Sequence, residues 1–294
     1  MQTDKIASKH LGKKSLGSEL YDPSLLVAIP RKENRKQYNM EENNLPFKGW
    51  DVWHAYEFSC MSENGLPITK VIKLRYDCKS EFLVESKSLK LYLNSFNMSR
   101  FGKDSNECLS FCQEKIQNDL SQLLKTKVEV NFINNNSPKT EIFKNFKNLT
   151  DFIDENNLKI TRFKETPNLL KTENQEEKEY YLTFDSLRSN CRVTHQPDFG
   201  DAFIYYKSKK HIDETSLVKY LCSFRSEYHF HEECCEMIYK RLFDILNEND
   251  ELFVCALYTR RGGIDICPIR YNREIKDIKK LIDLTTFARN GVKQ

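Results

Sequence analysis

The pattern of hydrophobic and polar residues predicts six β-strands, three in each half of the chain. Within residues 51–58, for example, every second side chain from Val52 to Phe58 falls on one face, which is typical of a half-buried strand. An Asn64-Gly65 pair then predicts the turn of a hairpin. The predicted strands cover 51–58, 68–76, 128–132, 180–187, 202–206 and 252–258.

Helical periodicity predicts two helices between the strands of each half. They cover 86–96 and 106–125 in the first half, and 214–224 and 231–246 in the second. Asp104 or Ser105 is suited to cap the longest of them. Antiparallel strands with helices on one face predict an α+β protein.

The two halves are alike in letters as well as in pattern. Residues 88–96 and 216–224 share six of nine letters, which indicates an internal duplication. An Asn-, Lys- and Glu-rich stretch between the halves predicts only a short helix, near 149–153. We therefore divide the chain into an N-terminal extension at 1–45, a first module at 46–135, an insertion or linker at 136–178 and a second module at 179–294.

Composition and charge narrow the class of protein. The chain has 294 residues, of which 39% are hydrophobic and 30% charged, as in a globular protein with room for two cores. A net charge of +3 from 46 basic and 43 acidic side chains argues against a nucleic-acid partner. No apolar run suits a signal peptide or a membrane helix, so we expect a cytoplasmic protein without membrane contact.

The positions of the cysteines and glycines argue against a zinc site and a glycine-rich nucleotide-binding turn. The ten cysteines are expected to be reduced in the cytoplasm. Cys108 with Cys112, and Cys234 with Cys235, fall on predicted helices and lack the second pair that a zinc site needs, so we expect no metal. The glycines form neither a G-x-G-x-x-G nor a P-loop motif, which excludes a Rossmann-type dinucleotide turn.

One polar segment, residues 188–198, combines a cysteine, an aspartate and two arginines. Because its proline lacks an N–H, we predict neither a plain helix nor a central strand there. A thiol attacks as the thiolate, which Arg188 and Arg192 would stabilise at Cys191. Asp198 is a candidate proton donor. The alternative is a buried structural cysteine beside an ordinary turn aspartate.

Two predicted helix starts and one strand end carry further polar groups. Glu85-Ser86-Lys87-Ser88 suits an anion, unless it is only a capping motif with a solvated lysine. Phe230-His231-Glu232-Glu233 offers a proton-exchanging imidazole and a carboxylate for an amino–imino edge such as that of guanine, unless it only compensates the helix dipole. Arg260-Arg261-Gly262-Gly263 suits phosphates, unless it is only an exposed turn.

Together these motifs resemble the NADPH-dependent 7-cyano-7-deazaguanine reductases. The letters that carry the resemblance are Arg-Ser-Asn-Cys and Thr-His-Gln-Pro-Asp within 188–198, Glu-Ser-Lys-Ser-Leu-Lys-Leu-Tyr-Leu-Asn-Ser-Phe-Asn at 85–97, Phe-His-Glu at 230–232, Tyr-Thr-Arg-Arg-Gly-Gly at 258–263, Tyr-Asp-Pro-Ser-Leu-Leu at 21–26 and Ile-Pro-Arg at 29–31. The resemblance runs from about Gly12 to Arg270 and is weakest between about 134 and 180.

The resemblance implies two tandem tunnelling-fold modules that assemble as a homodimer. It also implies reduction of the nitrile of 7-cyano-7-deazaguanine to a primary amine in queuosine biosynthesis, with two NADPH consumed. Cys191 would add to the nitrile carbon as a covalent thioimide, and Asp198 would protonate the nitrogen. The implied substrate-binding residues are Glu85, Ser86, Lys87, His231 and Glu232. The implied NADPH-binding residues are Lys87, Ser88, Arg261 and Gly262.

The chain departs from the usual letters of that family at two places. Glu227-Tyr228-His229 stands where a His-Asn pair is usual, and Cys267 replaces the asparagine of Asp-Ile-Asn-Pro. We assign no catalytic role to His195. Two alternatives are a relative that hydrolyses a pterin or GTP with a metal, and a non-catalytic purine- or pterin-binding module of the same fold. The second would need neither Cys191 nor Asp198.

Overall fold

The computed structural model describes residues 2–11 and 18–289. The α-helices are α1 Gln2–Ala7, α2 Lys32–Gln37, α3 Ser86–Asn94, α4 Ser105–Leu124, α5 Glu214–Cys222, α6 His231–Ile245 and α7 Lys276–Ile282. The strands are β1 Ala28–Pro30, β2 Lys48–Met61, β3 Pro67–Asp77, β4 Phe82–Val84, β5 Val128–Ile133, β6 Lys139–Glu141, β7 Lys147–Asn148, β8 Thr172–Asn190, β9 Pro197–Ile212, β10 Glu251–Tyr258, β11 Ile264–Tyr271 and β12 Phe287–Arg289. Gly12, where the resemblance begins, and the end of the second predicted module from residue 290 lie outside the described residues.

Eight of these strands form one sheet, in the order β5-β3-β2-β11-β10-β9-β8-β7. Neighbouring strands are antiparallel except β7 and β8. Strand β2 of the first half pairs with β11 of the second, with Trp53 opposite Ile266. The two predicted modules therefore share one continuous sheet, and the α+β prediction is confirmed.

The two halves place their main elements in the same order along the chain. Two long antiparallel strands, two helices and a further strand occur as β2, β3, α3, α4 and β5, and again as β8, β9, α5, α6 and β10. All the predicted strands and helices are present. Helix α4 begins after Asp104, whose carboxylate accepts hydrogen bonds from the backbone N–H groups of Asn106 and Glu107 at 2.8 and 2.9 Å, as predicted for the cap.

Alternating side chains of the sheet enter different hydrophobic cores. In β9, Ile204 packs with the helix residues Leu221 and Met237, whereas its neighbour Phe203 points to the opposite face. There Phe143 stacks on Phe203 with 4.2 Å between ring centroids. The 136–178 segment, predicted as an insertion or linker, thus helps to cover the face that lacks α5 and α6. Its predicted helix is a short 3-10 helix, Leu149–Phe152.

The backbone prediction for residues 188–198 is wrong at both ends. Strand β8 continues to Asn190 and β9 begins at Pro197, so only residues 191–196 form a loop. The missing N–H is tolerated because Pro197 is the first residue of its strand. Strand β11 was not predicted, and neither were α1, β1 and α2 of the N-terminal extension. No helix of the described part is long and apolar enough to cross a membrane.

Candidate active site

A cavity of about 170 Å³ lies where the two halves meet. Its wall combines the starts of α3 and α6, the loop between β8 and β9, and the turn before β11. The polar residues of the wall are Ser86, Lys87, Lys90, Cys191, Asp198, His229, His231, Glu232 and Arg261. Seven of the predicted site residues are therefore gathered at one place, together with Gly262: Ser86, Lys87, Cys191, Asp198, His231, Glu232 and Arg261.

Cys191 is the first residue after β8 and is 5% exposed. Its N–H donates to the carbonyl of Gln196 at 2.8 Å, and its carbonyl accepts from the N–H of His195 at 3.0 Å. His195 closes this loop in the left-handed region, with φ +57°, and its ring lies 4.7 Å from that of Tyr228. The hairpin thereby holds the thiol at the cavity wall, and His195 has a structural position, as expected.

The two arginines near Cys191 bind other groups. Arg188 donates to the carbonyl of Arg225 at 2.6 Å. Arg192 donates to Asp4 at 2.6 Å and to Glu233 at 3.1 Å. Because carboxylates neutralise Arg192, it does not provide a free positive charge for the thiolate, whereas Arg188 contacts no carboxylate among these partners and its effect on Cys191 stays a prediction.

Asp198 lies on β9 and is 6% exposed. One carboxylate oxygen accepts a hydrogen bond from Arg261 at 2.6 Å, and the other lies 3.3 Å from Nε2 of His231. The His231 ring is held flat against Tyr258, with 3.8 Å between ring centroids and 4° between planes. Asp198 and His231 are therefore placed to pass a proton between them.

Glu232 is the most deeply buried acid of the cavity wall, at 2% exposed. Within the described residues, its Oε1 atom has no hydrogen-bond partner. Burial, and then the charge of Asp51, raise the pKa of Glu232 from 4.5 to about 8, although Arg31 and Arg270 oppose this. The side chain presents an unsatisfied acceptor, as recognition of a donor edge on a ligand requires.

His229 is a site residue to which the sequence analysis assigned no role. Its Nε2 lies 3.1 Å from Glu227 and its Nδ1 lies 3.5 Å from Glu233. Burial alone would lower its pKa, but the two carboxylates raise the pKa to about 9. The wall therefore carries an imidazolium at neutral pH. The spacing of a histidine two residues after one glutamate and four before another is the only signal for it in the sequence.

Glu85 and Ser88 were predicted to contact ligands but are not part of the cavity wall. The Glu85 carboxylate accepts from the N–H groups of Lys87 and Ser88 at 2.8 and 2.7 Å, and so caps α3. The Ser88 hydroxyl donates to the carbonyl of Glu85 and accepts from the N–H of Val27. Both side chains are fully buried. The capping interpretation describes this structure better for these two residues, while Ser86 and Lys87 do line the cavity.

The turn before β11 brings backbone and cations to the cavity mouth. Gly262 has φ +61°, and a side chain there would meet only Lys90, at 3.6 Å. Arg261 and Lys87 lie on the same wall. This arrangement of open backbone and positive charge suits a phosphate-bearing ligand.

Two groups of potential metal ligands lie elsewhere in the described structure. One is Cys60 with Cys108 and Cys112, and the other is His54 with Asp265 and Cys267. All six residues are buried, and none of them lines the cavity. Cys108 and Cys112 lie on the buried face of α4, and Cys234 and Cys235 are inside α6, as predicted. All ten cysteines are free thiols.

Two family models match the chain. Residues 18–132 match the model described as "Nitrile reductase, 7-cyano-7-deazaguanine-reductase N-term", and residues 197–277 match the model described as "QueF-like protein". A protein of Colwellia psychrerythraea named "NADPH-dependent 7-cyano-7-deazaguanine reductase" is 39% identical over 265 residues, which cover 88% of this chain and 90% of that protein. The chain belongs to the 7-cyano-7-deazaguanine reductase family.

Membership of the reductase family confirms the resemblance seen in the motifs. Asp198, His231, Glu232, Arg261 and Gly262 fall within the second matched stretch, and residues 85–88 fall within the first. Cys191 lies between the two stretches, so its role depends on the geometry of the hairpin that carries it.

Proposed function

We propose that this chain reduces the nitrile of 7-cyano-7-deazaguanine to a primary amine in queuosine biosynthesis, using NADPH. The observation that carries the proposal is that Cys191 and Asp198 lie on one cavity wall, beside His231 and Glu232. A thiol, a proton donor and an acceptor for a purine-like edge are the three groups that this reaction needs. The family and its named relative supply the substrate and the cofactor.

Cys191 would begin the reaction by adding its sulfur to the nitrile carbon. One π bond of the nitrile breaks and Asp198 donates a proton to the nitrogen, which gives a covalent thioimide. NADPH, when bound, supplies one hydride at this stage and a second one later, so that two molecules are consumed. After the first reduction the carbon–sulfur bond breaks, Cys191 leaves as the thiolate, and an imine remains. A second hydride and a proton convert this imine to the amine.

Binding of the base would rest mainly on Glu232, because its free carboxylate oxygen can accept from the N–H donors of the deazaguanine edge. His231, Ser86 and Lys87 lie on the same wall. Glu85 would have to turn away from the α3 N–H groups to touch the substrate, so its substrate-binding role stays a prediction.

Binding of NADPH would rest on Lys87, Arg261 and Gly262, which present cations and open backbone at the cavity mouth. Lys90, on the next turn of α3, lies on the same wall and forms an ion pair with Glu57 at 3.1 Å. Contact between Ser88 and NADPH stays a prediction, since its hydroxyl is buried and already hydrogen-bonded.

We further propose that the two halves are duplicated tunnelling-fold modules and that the protein works as a cytoplasmic homodimer without contact to nucleic acid. The repeated order of elements and the shared letters at 88–96 and 216–224 support the duplication. The near balance of charge supports the absence of a nucleic-acid partner.

The deciding experiment is the intact mass of the protein mixed with the nitrile substrate in the absence of NADPH. We expect an adduct of the substrate's mass that is absent in Cys191→Ala. Cys222→Ala is the matched control, because Cys222 is the most exposed of the other cysteines, and it should keep the adduct. If Cys191 is reduced and no adduct forms, the chain is better described as a purine-binding module without this chemistry.

A further inference from the structure

The first residues of the chain are packed against the candidate active site. Leu11 lies on the cavity wall together with Cys191. Ala7 is fully buried in a small apolar cluster with Val27, Ile29 and Leu83. We call residues 2–11 the N-terminal cover.

Polar contacts hold the N-terminal cover at both of its sides. The backbone N–H of Thr3 donates to Glu33 at 3.3 Å, which ties the cover to α2. Asp4 accepts from Arg192 at 2.6 Å, and Arg192 is the residue next to Cys191. Chain ends usually fray unless they are anchored. These anchors attach the cover to the loop that carries the thiol.

The packing partners of the cover belong to the same site. Val193 of the Cys191 loop and Phe230, which precedes α6, pack against the cluster that contains Ala7. Phe230 also lies on the cavity wall. The cover therefore places apolar side chains and one partly exposed ion pair against the loop that carries the thiol.

We propose that the N-terminal cover is part of the active site, where it shields the imine stage of the reaction from water, with Leu11 as its wall residue and Asp4 as its anchor to the Cys191 loop. This inference rests on the proposed function. An imine that meets water gives an aldehyde and ammonia, because oxygen replaces nitrogen on the same carbon with no change in oxidation state. A site that releases only amine must therefore exclude water after the carbon–sulfur bond has broken.

The test measures which product leaves the enzyme. Wild type, Leu11→Ala, Asp4→Ala and Lys5→Ala are each turned over with the nitrile and NADPH, and the amine and the hydrazine-trapped aldehyde are quantified by mass spectrometry. Lys5 is exposed on the same helix as Asp4 and serves as the control. We expect a severalfold rise in the aldehyde fraction for Leu11→Ala and Asp4→Ala, and none for Lys5→Ala.

Two outcomes separate this inference from the proposed function. If no protein consumes the nitrile, the proposed function fails. If all four consume it and the aldehyde fraction is the same in each, the cover has no shielding role and the inference is wrong. The Cys191 adduct, measured by intact mass without NADPH, shows that each variant retains a folded site, so a change in product ratio cannot be attributed to unfolding.

Discussion

Arg261 donates a 2.6 Å hydrogen bond to Asp198, so the residue predicted to contact NADPH is bound to the residue predicted to supply the proton. The side chain of the arginine is 38% exposed, whereas the side chain of the aspartate is 5% exposed. If NADPH contacts Arg261 as predicted, the cofactor and Asp198 share one cation. A phosphate placed at the cavity mouth would compete with Asp198 for it.

Replacing Arg261 with alanine should weaken NADPH binding more than substrate binding. The loss of one charge-assisted contact predicts a KM for NADPH raised about tenfold, which corresponds to about 1.4 kcal/mol. Steady-state kinetics with each substrate varied in turn would measure this. Arg260→Ala is the matched control, since Arg260 stacks on Tyr56 and not against Asp198. If the KM for NADPH is the same in both variants and the wild type, Arg261 does not contribute to cofactor binding.

Substrate affinity should depend on the ionisation of Glu232. Its pKa of about 8 means that the carboxyl group is mostly protonated at pH 6 and mostly ionised at pH 9. The donor edge of a deazaguanine needs the ionised form, so affinity should rise between these values. Calorimetric titration with the substrate at several pH values would show this, and Glu232→Gln should bind weakly with no such slope. An affinity independent of pH in the wild type would contradict the assignment.

The same shift predicts the effect of Glu232 on stability. Its pKa is raised above the unfolded value, so its stabilising contribution is complete below about pH 4.5 and is lost as pH rises through 8. Between pH 4.5 and 8, this carboxyl group alone should lower the free energy of unfolding by about 1.4 kcal/mol per pH unit. Urea unfolding of Glu232→Gln should lack this part of the decline.

The elements that the sequence predicted well carry a regular local pattern. Helix α4 shows an apolar stripe that includes Ile116 and Leu120, because its other face contacts solvent, whereas strand β2 was recognised although both of its faces are buried from Asp51 to Ala55. Strand β11 was missed because, unlike the apolar run at 252–258, it carries charged residues among its eight buried positions, and these are paired internally. Arg270, for example, is fully buried between Asp51 at 2.8 Å and Glu236 at 2.9 Å. No local sequence pattern indicates ion-pair partners that lie so far away along the chain.

The candidate site was predictable where one short segment supplies the geometry. Cys191 and Asp198 are joined by a tight hairpin, so their spacing along the chain was informative. Leu11 was not predictable, since it reaches the same cavity from the other end of the chain. Glu85 and Ser88 show the reverse case: their motif matched, but their side chains satisfy the start of α3, so their contacts with ligands stay predictions.

Replacing Asp198 with asparagine should impair the chemical step rather than binding of the substrate. Asparagine keeps the size of the side chain but cannot supply a carboxylic proton, so kcat should fall by roughly 10²–10⁴-fold. Single-turnover measurement of amine formation, with substrate affinity determined separately, would test this. Asp154→Asn, a change in an exposed turn, should behave like the wild type. If kcat is unchanged in Asp198→Asn, another group must donate the proton. His231 is the nearest candidate, at 3.3 Å from Asp198.

His229 should stabilise the protein in a manner that depends on pH, because its pKa is raised in the folded state. The pKa of this histidine is raised from 6.5 to about 9, so its contribution is complete below about pH 6.5 and is lost as pH rises through 9. His229→Asn should therefore be destabilised by roughly 2–3 kcal/mol at pH 7, and by much less at pH 9.5. Urea unfolding at both pH values would measure the difference. His211→Asn is a useful comparison, because His211 also contacts two glutamates but is more exposed. A loss for His229→Asn that is the same at both pH values would mean that packing, and not its charge between Glu227 and Glu233, is what the imidazole contributes.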